Sequence, residues 1–115
     1  PNVARLYEPL HPAVLQVLRE VMTVARRYDK PVSVCGEMAG DPAAMVMLLG
    51  MGVDNLSMSA ASLPRVKWVI RNFTLSRAQS LFNRALRMEN ASDIRQMLNS
   101  EIGQTGFSGL VKPGE

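Results

Sequence analysis

Cysteine, histidine and tryptophan each occur once in this sequence of 115 residues. A single cysteine cannot form an intramolecular disulfide or a zinc site built from several thiolates, so the reducing cytoplasm is the expected location. The sequence has no apolar run of about 18 residues and no basic leader before an apolar stretch. We therefore expect neither a membrane-spanning helix nor a secretory signal, and no membrane partner.

Basic residues outnumber acidic ones, giving a net charge of +3, but they are scattered along the chain. The local groups are Arg26-Arg27 and the set Arg65, Lys67 and Arg71. No glycine-arginine repeat or finger motif accompanies them, so they are interpreted as solvated helix faces rather than a nucleic-acid site. Hydrophobic residues make up 47% of the chain, which is ample for a core.

The pair His11-Pro12 predicts the start of a first helix, because proline is well suited to the first helical position. Apolar residues then recur at spacings of three and four, which predicts one broad buried face. That face comprises Val14, Leu15, Val17, Leu18, Val21, Met22, Val24, Ala25 and Tyr28. His11 is interpreted as a cap rather than a catalytic base, because no carboxylate lies at a recognisable spacing from it.

An uncharged strand from Val32 to Cys35 is predicted next, followed by a loop bearing Gly36 and Gly40. Its β-branched residues predict a strand that is buried on both faces, as in a parallel sheet covered by helices. Cys35 lies at the carboxyl end of this strand, which is where α/β folds carry their catalytic and ligand-binding residues. Two interpretations remain open: a functional thiol, or a small buried hydrophobic residue.

The pair Asp41-Pro42 predicts a second helix, since a side-chain acceptor at the cap precedes proline. Its residues to Leu49 are apolar on nearly all sides, which predicts extensive burial. Gly50 and Gly52 are expected to end it.

A second strand is predicted from Asp54 to Ala60, with Ser57 and Ser59 sharing one face. Those serines either point into a cleft or fill small spaces. A third helix is predicted from Ser62 to Arg71, with one apolar face made of Leu63, Val66, Val69 and Ile70.

The last third of the sequence predicts two amphipathic helices, capped by Thr74 and by Asn90. Glycines from Gly103 onward predict a flexible tail. We therefore divide the chain into a folded part, residues 1–102, and a tail, residues 103–115.

Alternating helices and strands predict parallel strands with right-handed crossovers, but two strands are too few for an ordinary α/β sheet. A (β/α)8 barrel needs eight such units over about 250 residues. The predicted fold is therefore α/β, the carboxyl-terminal piece of such a barrel, followed by two extra helices. The start at Pro1, without an initiator methionine, fits a processed or shortened chain.

Three motifs, in this order and spacing, resemble the phosphoenolpyruvate-utilising enzymes. They are Cys35-Gly36-Glu37-Met38-Ala39-Gly40-Asp41, Leu48-Leu49-Gly50-Met51-Gly52 and Ser57-Met58-Ser59-Ala60. Within that family the chain is most similar to the enzyme I branch, the phosphoenolpyruvate-protein phosphotransferases, and among these to the nitrogen-related members. The resemblance runs from about Ala4 to Asn99.

The resemblance implies a phosphoenolpyruvate-binding barrel in which Cys35 ends the seventh strand and protonates the enolate carbon as the phosphoryl group leaves for a protein histidine. An ordinary thiol, with a pKa of about 8.5, stays protonated at neutral pH and suits that task. Gly36 would let the backbone approach the ligand. The resemblance also implies Mg²⁺ as cofactor, a histidine phosphocarrier protein as partner and a homodimer formed through this domain.

Other functional positions of the family have no counterpart in this chain: its phosphate-binding arginines, its magnesium ligands and its phosphorylated histidine. The chain alone is therefore expected to be inactive and to hold no metal. Glu37 is interpreted as loop structure, and Arg65 as a weak candidate for phosphate binding. The alternatives are a pyruvate phosphate dikinase or phosphoenolpyruvate synthase barrel, or a non-catalytic dimerisation module. The sequence does not separate a role in sugar transport from one in nitrogen metabolism.

Overall fold

Helices alternate with two short strands in the computed structural model, which describes residues 8–35 and 37–105. A 3₁₀ turn lies after each strand, at Glu37–Gly40 and at Ala60–Ser62. In chain order the described elements are α1 (Pro12–Arg27), β1 (Ser33–Cys35), α2 (Pro42–Met51), β2 (Asn55–Ser57), α3 (Leu63–Asn72), α4 (Leu75–Leu86) and α5 (Ala91–Gln104). The predicted order of helices and strands is confirmed, although both strands are shorter than expected.

β1 and β2 form a parallel pair in which Val34 lies opposite Leu56. These two side chains pack against the hydrophobic core, whereas Ser33 and Cys35 on the alternate positions are exposed. The prediction that the first strand is buried on both faces is therefore wrong, because the described chain covers only one face of the sheet. The observed architecture is a small parallel α/β unit with additional helices.

α2 is the centre of the core and is buried over nearly its whole length, as its sequence predicts. Gly52 ends the helix in the left-handed region with φ of 85°, which confirms its role as a terminator. Gly50 does not end the helix but lies inside it, facing the Ala78 carbonyl of α4. A Cβ at Gly50 would collide with that carbonyl, so the glycine sets the close approach of α2 and α4.

The broad buried face predicted for α1 is not observed. Leu15 and Met22 are buried, but most of the other apolar residues are exposed. The exposed fractions are 38% for Val14, 58% for Val17, 46% for Val21, 48% for Val24 and 65% for Tyr28. Within the described residues, α1 meets the core along one narrow side, and no element lies over these five residues.

α3 shows the same difference on a smaller scale. Val66 and Val69 are buried as predicted, whereas Leu63 and Ile70 are 40% and 50% exposed. Both helices therefore bury one row of side chains where their sequences predict a wider face.

Helix caps agree with the sequence. The His11, Asp41, Thr74 and Asn90 side chains each accept a hydrogen bond from a backbone N–H in the first turn of the helix that follows. α5 extends to Gln104, so the first two residues assigned to the tail are helical, and residues 106–115 lie outside the described ranges. No helix in the described part of the chain is both long and apolar enough to cross a membrane.

Candidate functional site

Cys35 occupies the carboxyl end of β1, and its side chain is exposed. The alternation of a strand explains this exposure, because Val34 points into the core and its neighbours point the other way. The interpretation of Cys35 as a small buried hydrophobic residue is therefore wrong. Its thiol lies at the edge of a parallel sheet where ligands of α/β proteins bind.

The open face of the sheet is polar. Cys35 is the register partner of Ser57, and Ser33 is the register partner of Asn55, and all four side chains are exposed. Neighbouring strands lie about 4.8 Å apart, so a small ligand could reach the thiol and the Ser57 hydroxyl together. This face offers a proton donor and hydrogen-bonding groups, which suits a small polar substrate.

The second predicted serine, Ser59, is separated from this face. It follows β2 and precedes the 3₁₀ turn Ala60–Ser62, where its Oγ lies 3.1 Å from the Oγ of Ser62. Ser57 and Ser59 are both exposed, but the structure places only Ser57 beside Cys35.

The described segment after Cys35 joins the core at Met38, three residues beyond the strand. We call residues 37–41 the thiol loop; in it Met38 and Ala39 are buried. The Asp41 N–H donates to the Met38 carbonyl at 3.3 Å, and Asp41 Oδ1 accepts from the Ala43 N–H at 3.1 Å. The thiol loop and the first turn of α2 therefore share Asp41 as their junction.

The thiol loop also touches the turn after β2. A Cβ on Gly40 would lie 2.7 Å from Ser62 Oγ, closer than real Cβ contacts allow. A larger residue at Gly40 would force the Ser62 side chain to shift, so the glycine favours the close approach of the segments that follow the two strands.

Arg95 of α5 contacts Asp41, the last residue of the thiol loop. Its Nη1 donates to Asp41 Oδ1 at 3.3 Å, and its Nη2 donates to Asp41 Oδ2 at 2.7 Å and to Glu8 Oε1 at 3.0 Å. Burial alone would lower the pKa of Arg95, but hydrogen bonds and attraction from Asp41 and Glu8 outweigh it and raise that pKa. The guanidinium therefore stays charged. Sequence reasoning missed this residue, because Arg95 and Asp41 are 54 positions apart.

The remaining predicted residues lie apart from this site or outside the described part. His11 caps α1, its Nδ1 accepting from the Ala13 N–H at 3.0 Å, which agrees with the structural interpretation. Arg65 is exposed on α3, and its role in phosphate binding stays a prediction. Gly36 and the side chain of Glu37 lie outside the described residues. No group of three or more His, Cys, Asp or Glu residues in the described ranges could hold a metal ion.

A groove of about 470 Å³ lies elsewhere, between α2, β2 and α3. Leu56 and Met58 line it, which places it on the core side of β2 rather than beside Cys35. Its lining is mostly aliphatic, so it offers little chemistry. We assign the candidate site to the open polar face and not to this groove.

Comparison with known proteins gives one family. Residues 1–75 match the PEP-binding domain of the PEP-utilising enzymes, where PEP is phosphoenolpyruvate. A Haemophilus influenzae protein named phosphoenolpyruvate-protein phosphotransferase is 42% identical over 96 residues, covering 84% of this chain and 17% of the relative. One of the same name from Cupriavidus necator is 44% identical over 99 residues, covering 83% and 17%.

A third relative, from Salmonella typhimurium, is named phosphoenolpyruvate-dependent phosphotransferase system. It is 36% identical over 113 residues, covering 98% of this chain and 15% of the relative. The chain thus spans less than a fifth of the length of these relatives. Similarity extends through α5, beyond the residues matched by the family's PEP-binding domain.

Proposed function

From the premise that this chain belongs to the PEP-utilising enzymes, we propose that it is part of a phosphoenolpyruvate-protein phosphotransferase and supplies the acid of the reaction. The observation that carries the proposal is the exposed thiol of Cys35 at the carboxyl end of a parallel strand, beside Ser57 on a polar face. The remaining parts of the barrel and the residues that bind substrate would come from elsewhere in a longer protein.

The proposed reaction breaks the bond between phosphorus and the enol oxygen of phosphoenolpyruvate. The phosphoryl group passes to a histidine nitrogen of a protein, and the electrons of the broken bond leave an enolate. Cys35 then gives its proton to the methylene carbon, forming the methyl group of pyruvate, and water returns a proton to the thiolate. A donor fixed on one side of the planar enolate is what this step needs.

Cys35 is the residue best placed to be that donor. Ser33, Ser57 and Asn55 share its open face, but hydroxyl and amide groups are far weaker acids than a thiol at neutral pH. Of these, only Ser57 is the register partner of the thiol and could instead hydrogen-bond a ligand held beside it.

The resemblance implies a bound Mg²⁺, but the described residues do not form a site that could hold it. The described ranges contain no group of acidic or histidine side chains that could hold a metal ion. Its ligands would therefore belong to other parts of the protein, and we assign no step in this chain to it.

The relatives' names favour a protein phosphotransferase over the dikinase or synthase alternative. A purely non-catalytic module, the other alternative, would not require an exposed thiol beside a polar register partner. A histidine phosphocarrier as phosphoryl acceptor, a homodimer and a cytoplasmic location remain part of the proposal. Sedimentation of the longer protein at several concentrations would test the dimer. A protein that stays monomeric at all of them would count against it.

The test replaces Cys35 by alanine in the longer protein. Loss of the acid should lower pyruvate formation by about 10²- to 10⁴-fold, while phosphoenolpyruvate still binds. A second readout needs no phosphoryl acceptor: the unaltered enzyme should exchange the methyl protons of pyruvate into D₂O, and the Cys35→Ala variant should not.

Ser33→Ala is the matched control, because it trims the same face of the same strand without removing an acid. It should keep proton exchange within about threefold of the unaltered protein, as a surface position should. Full turnover in the Cys35→Ala protein would rule out the proposed role.

A further inference from the structure

We propose that Arg95 is a positioning residue that holds the thiol loop, and with it Cys35, through its ion pair with Asp41. The inference deepens the proposed function and depends on it for the effect on turnover. Its structural part, that Arg95 restrains residues 37–41, stands on geometry alone.

The contact between Arg95 and Asp41 is short, two-pronged and sheltered. The two terminal guanidinium nitrogens each donate to a different carboxylate oxygen, Nη1 to Oδ1 at 3.3 Å and Nη2 to Oδ2 at 2.7 Å. The two side chains are only 14% and 13% exposed, so water screens the pair weakly. A planar guanidinium that meets a carboxylate in this way fixes orientation as well as distance.

Asp41 is bonded to the thiol loop on one side and to α2 on the other, so it extends this restraint to both. Its backbone N–H bonds to Met38, its side chain caps α2, and its carbonyl accepts from the Met45 N–H at 2.8 Å. The Arg95 side chain therefore anchors the point where the thiol loop meets α2, six residues after the thiol.

Arg95 also contacts Glu8, so it holds two carboxylates and not one. Glu8 lies before α1, accepts a hydrogen bond from the Leu10 N–H at 3.1 Å and receives Nη2 of the same arginine. Arg95 thus joins three segments that are far apart in sequence: the lead-in to α1, the start of α2 and the last helix. A residue that only packed α5 onto the core would not need two carboxylates from different segments.

The position of α5 along the chain determines what this role of Arg95 would mean for the last helices. The match to the family's PEP-binding domain ends at residue 75, so both α5 and its Arg95 lie outside that matched region. If Arg95 positions the thiol loop, the helices after residue 75 do more than cover the core.

The test compares Arg95→Met and Asp41→Asn with Arg77→Met in the longer protein. Asparagine caps helices as well as aspartate does, so Asp41→Asn removes the charge and keeps the start of α2. Arg77 is the matched control, because it pairs with Glu101 at 2.9 Å between α4 and α5. Its side chain also bonds Thr105, and among the described residues it makes no hydrogen bond to the thiol loop.

Amide hydrogen exchange, resolved by peptide, is the readout that does not depend on activity. Arg95→Met and Asp41→Asn should each speed exchange in residues 37–41 by roughly fivefold or more, and Arg77→Met should not. Equal exchange in all three variants and the unaltered protein would overturn the inference, as would an equal acceleration by Arg77→Met. If Arg95→Met fails to fold, Asp41→Asn decides.

Steady-state kinetics then test the effect on the reaction. Misplacement of the acid should lower kcat by about tenfold or more in Arg95→Met and Asp41→Asn, with KM for phosphoenolpyruvate nearly unchanged. An unchanged kcat alongside a dead Cys35→Ala protein would overturn the positioning role. An active Cys35→Ala protein would instead defeat the proposed function, and the exchange data would still decide whether Arg95 restrains the loop.

Discussion

Cys35 and Ser57 lie opposite each other in the parallel pair of strands, and both side chains are exposed on the face turned away from the core. In a parallel pair, register partners are close neighbours on one face of the sheet. The surroundings of the thiol are therefore set by β2 as much as by β1. A change at Ser57 should act directly on Cys35.

Replacing Ser57 by leucine should slow alkylation of Cys35 by iodoacetamide, by roughly threefold or more, because a bulky side chain would stand beside the thiol. The rate is measured by mass spectrometry of the peptide that contains Cys35. Asn55→Leu is the control, since Asn55 lies on the same face but opposite Ser33. Equal slowing by both substitutions would show that register does not control access to the thiol.

Replacing Gly50 by alanine should lower the free energy of unfolding by about 2–3 kcal/mol, because the new Cβ would collide with the Ala78 carbonyl. Gly103→Ala provides the contrast: a Cβ there meets nothing within 4 Å, and the residue is helical. That substitution should stabilise the protein by about 0.5 kcal/mol. Urea titrations of both variants check the difference, and a tolerated Gly50→Ala would contradict the close approach of α2 and α4.

Replacing His11 by alanine should cost about 0.5–1 kcal/mol of stability, since α1 would lose the side chain that accepts from Ala13. His11→Ser should retain most of that stability, because serine is a good cap. Thermal unfolding measures both. Neither variant should change turnover of the longer protein by more than about twofold, and a large loss in both would revive the catalytic interpretation of His11.

Helix starts could be read from the sequence because the signals are local. Asp41-Pro42 and Asn90 each place a side-chain acceptor within a few residues of the N–H that it receives. The parallel pairing could also be predicted, from the alternation of helices and strands. In both cases the evidence lies in adjacent residues or in the order of elements.

The exposed side of α1 could not be predicted, because periodicity records which residues are apolar and not what lies against them. Val17 and Met22 look equally suited to a core, yet one is 58% exposed and the other is buried. For the candidate site, likewise, the sequence predicts one residue but not the contacts around it. Cys35 could be singled out by its place after a strand, whereas its contact with Ser57 depends on register and the Arg95 anchor on the packing of α5.

The hydrogen bonds of Val32, the residue directly before β1, bear on which insertions and deletions the chain can tolerate. The Val32 N–H donates to Asp54 Oδ2 at 2.7 Å, and the Val32 carbonyl accepts from the N–H groups of Asp54 and Asn55 at 3.1 and 3.2 Å. Because side chains alternate, losing or gaining one residue between Val32 and Cys35 would turn the thiol into the core and a valine outward. Length changes in homologous sequences should therefore avoid these four positions, even where substitutions are frequent.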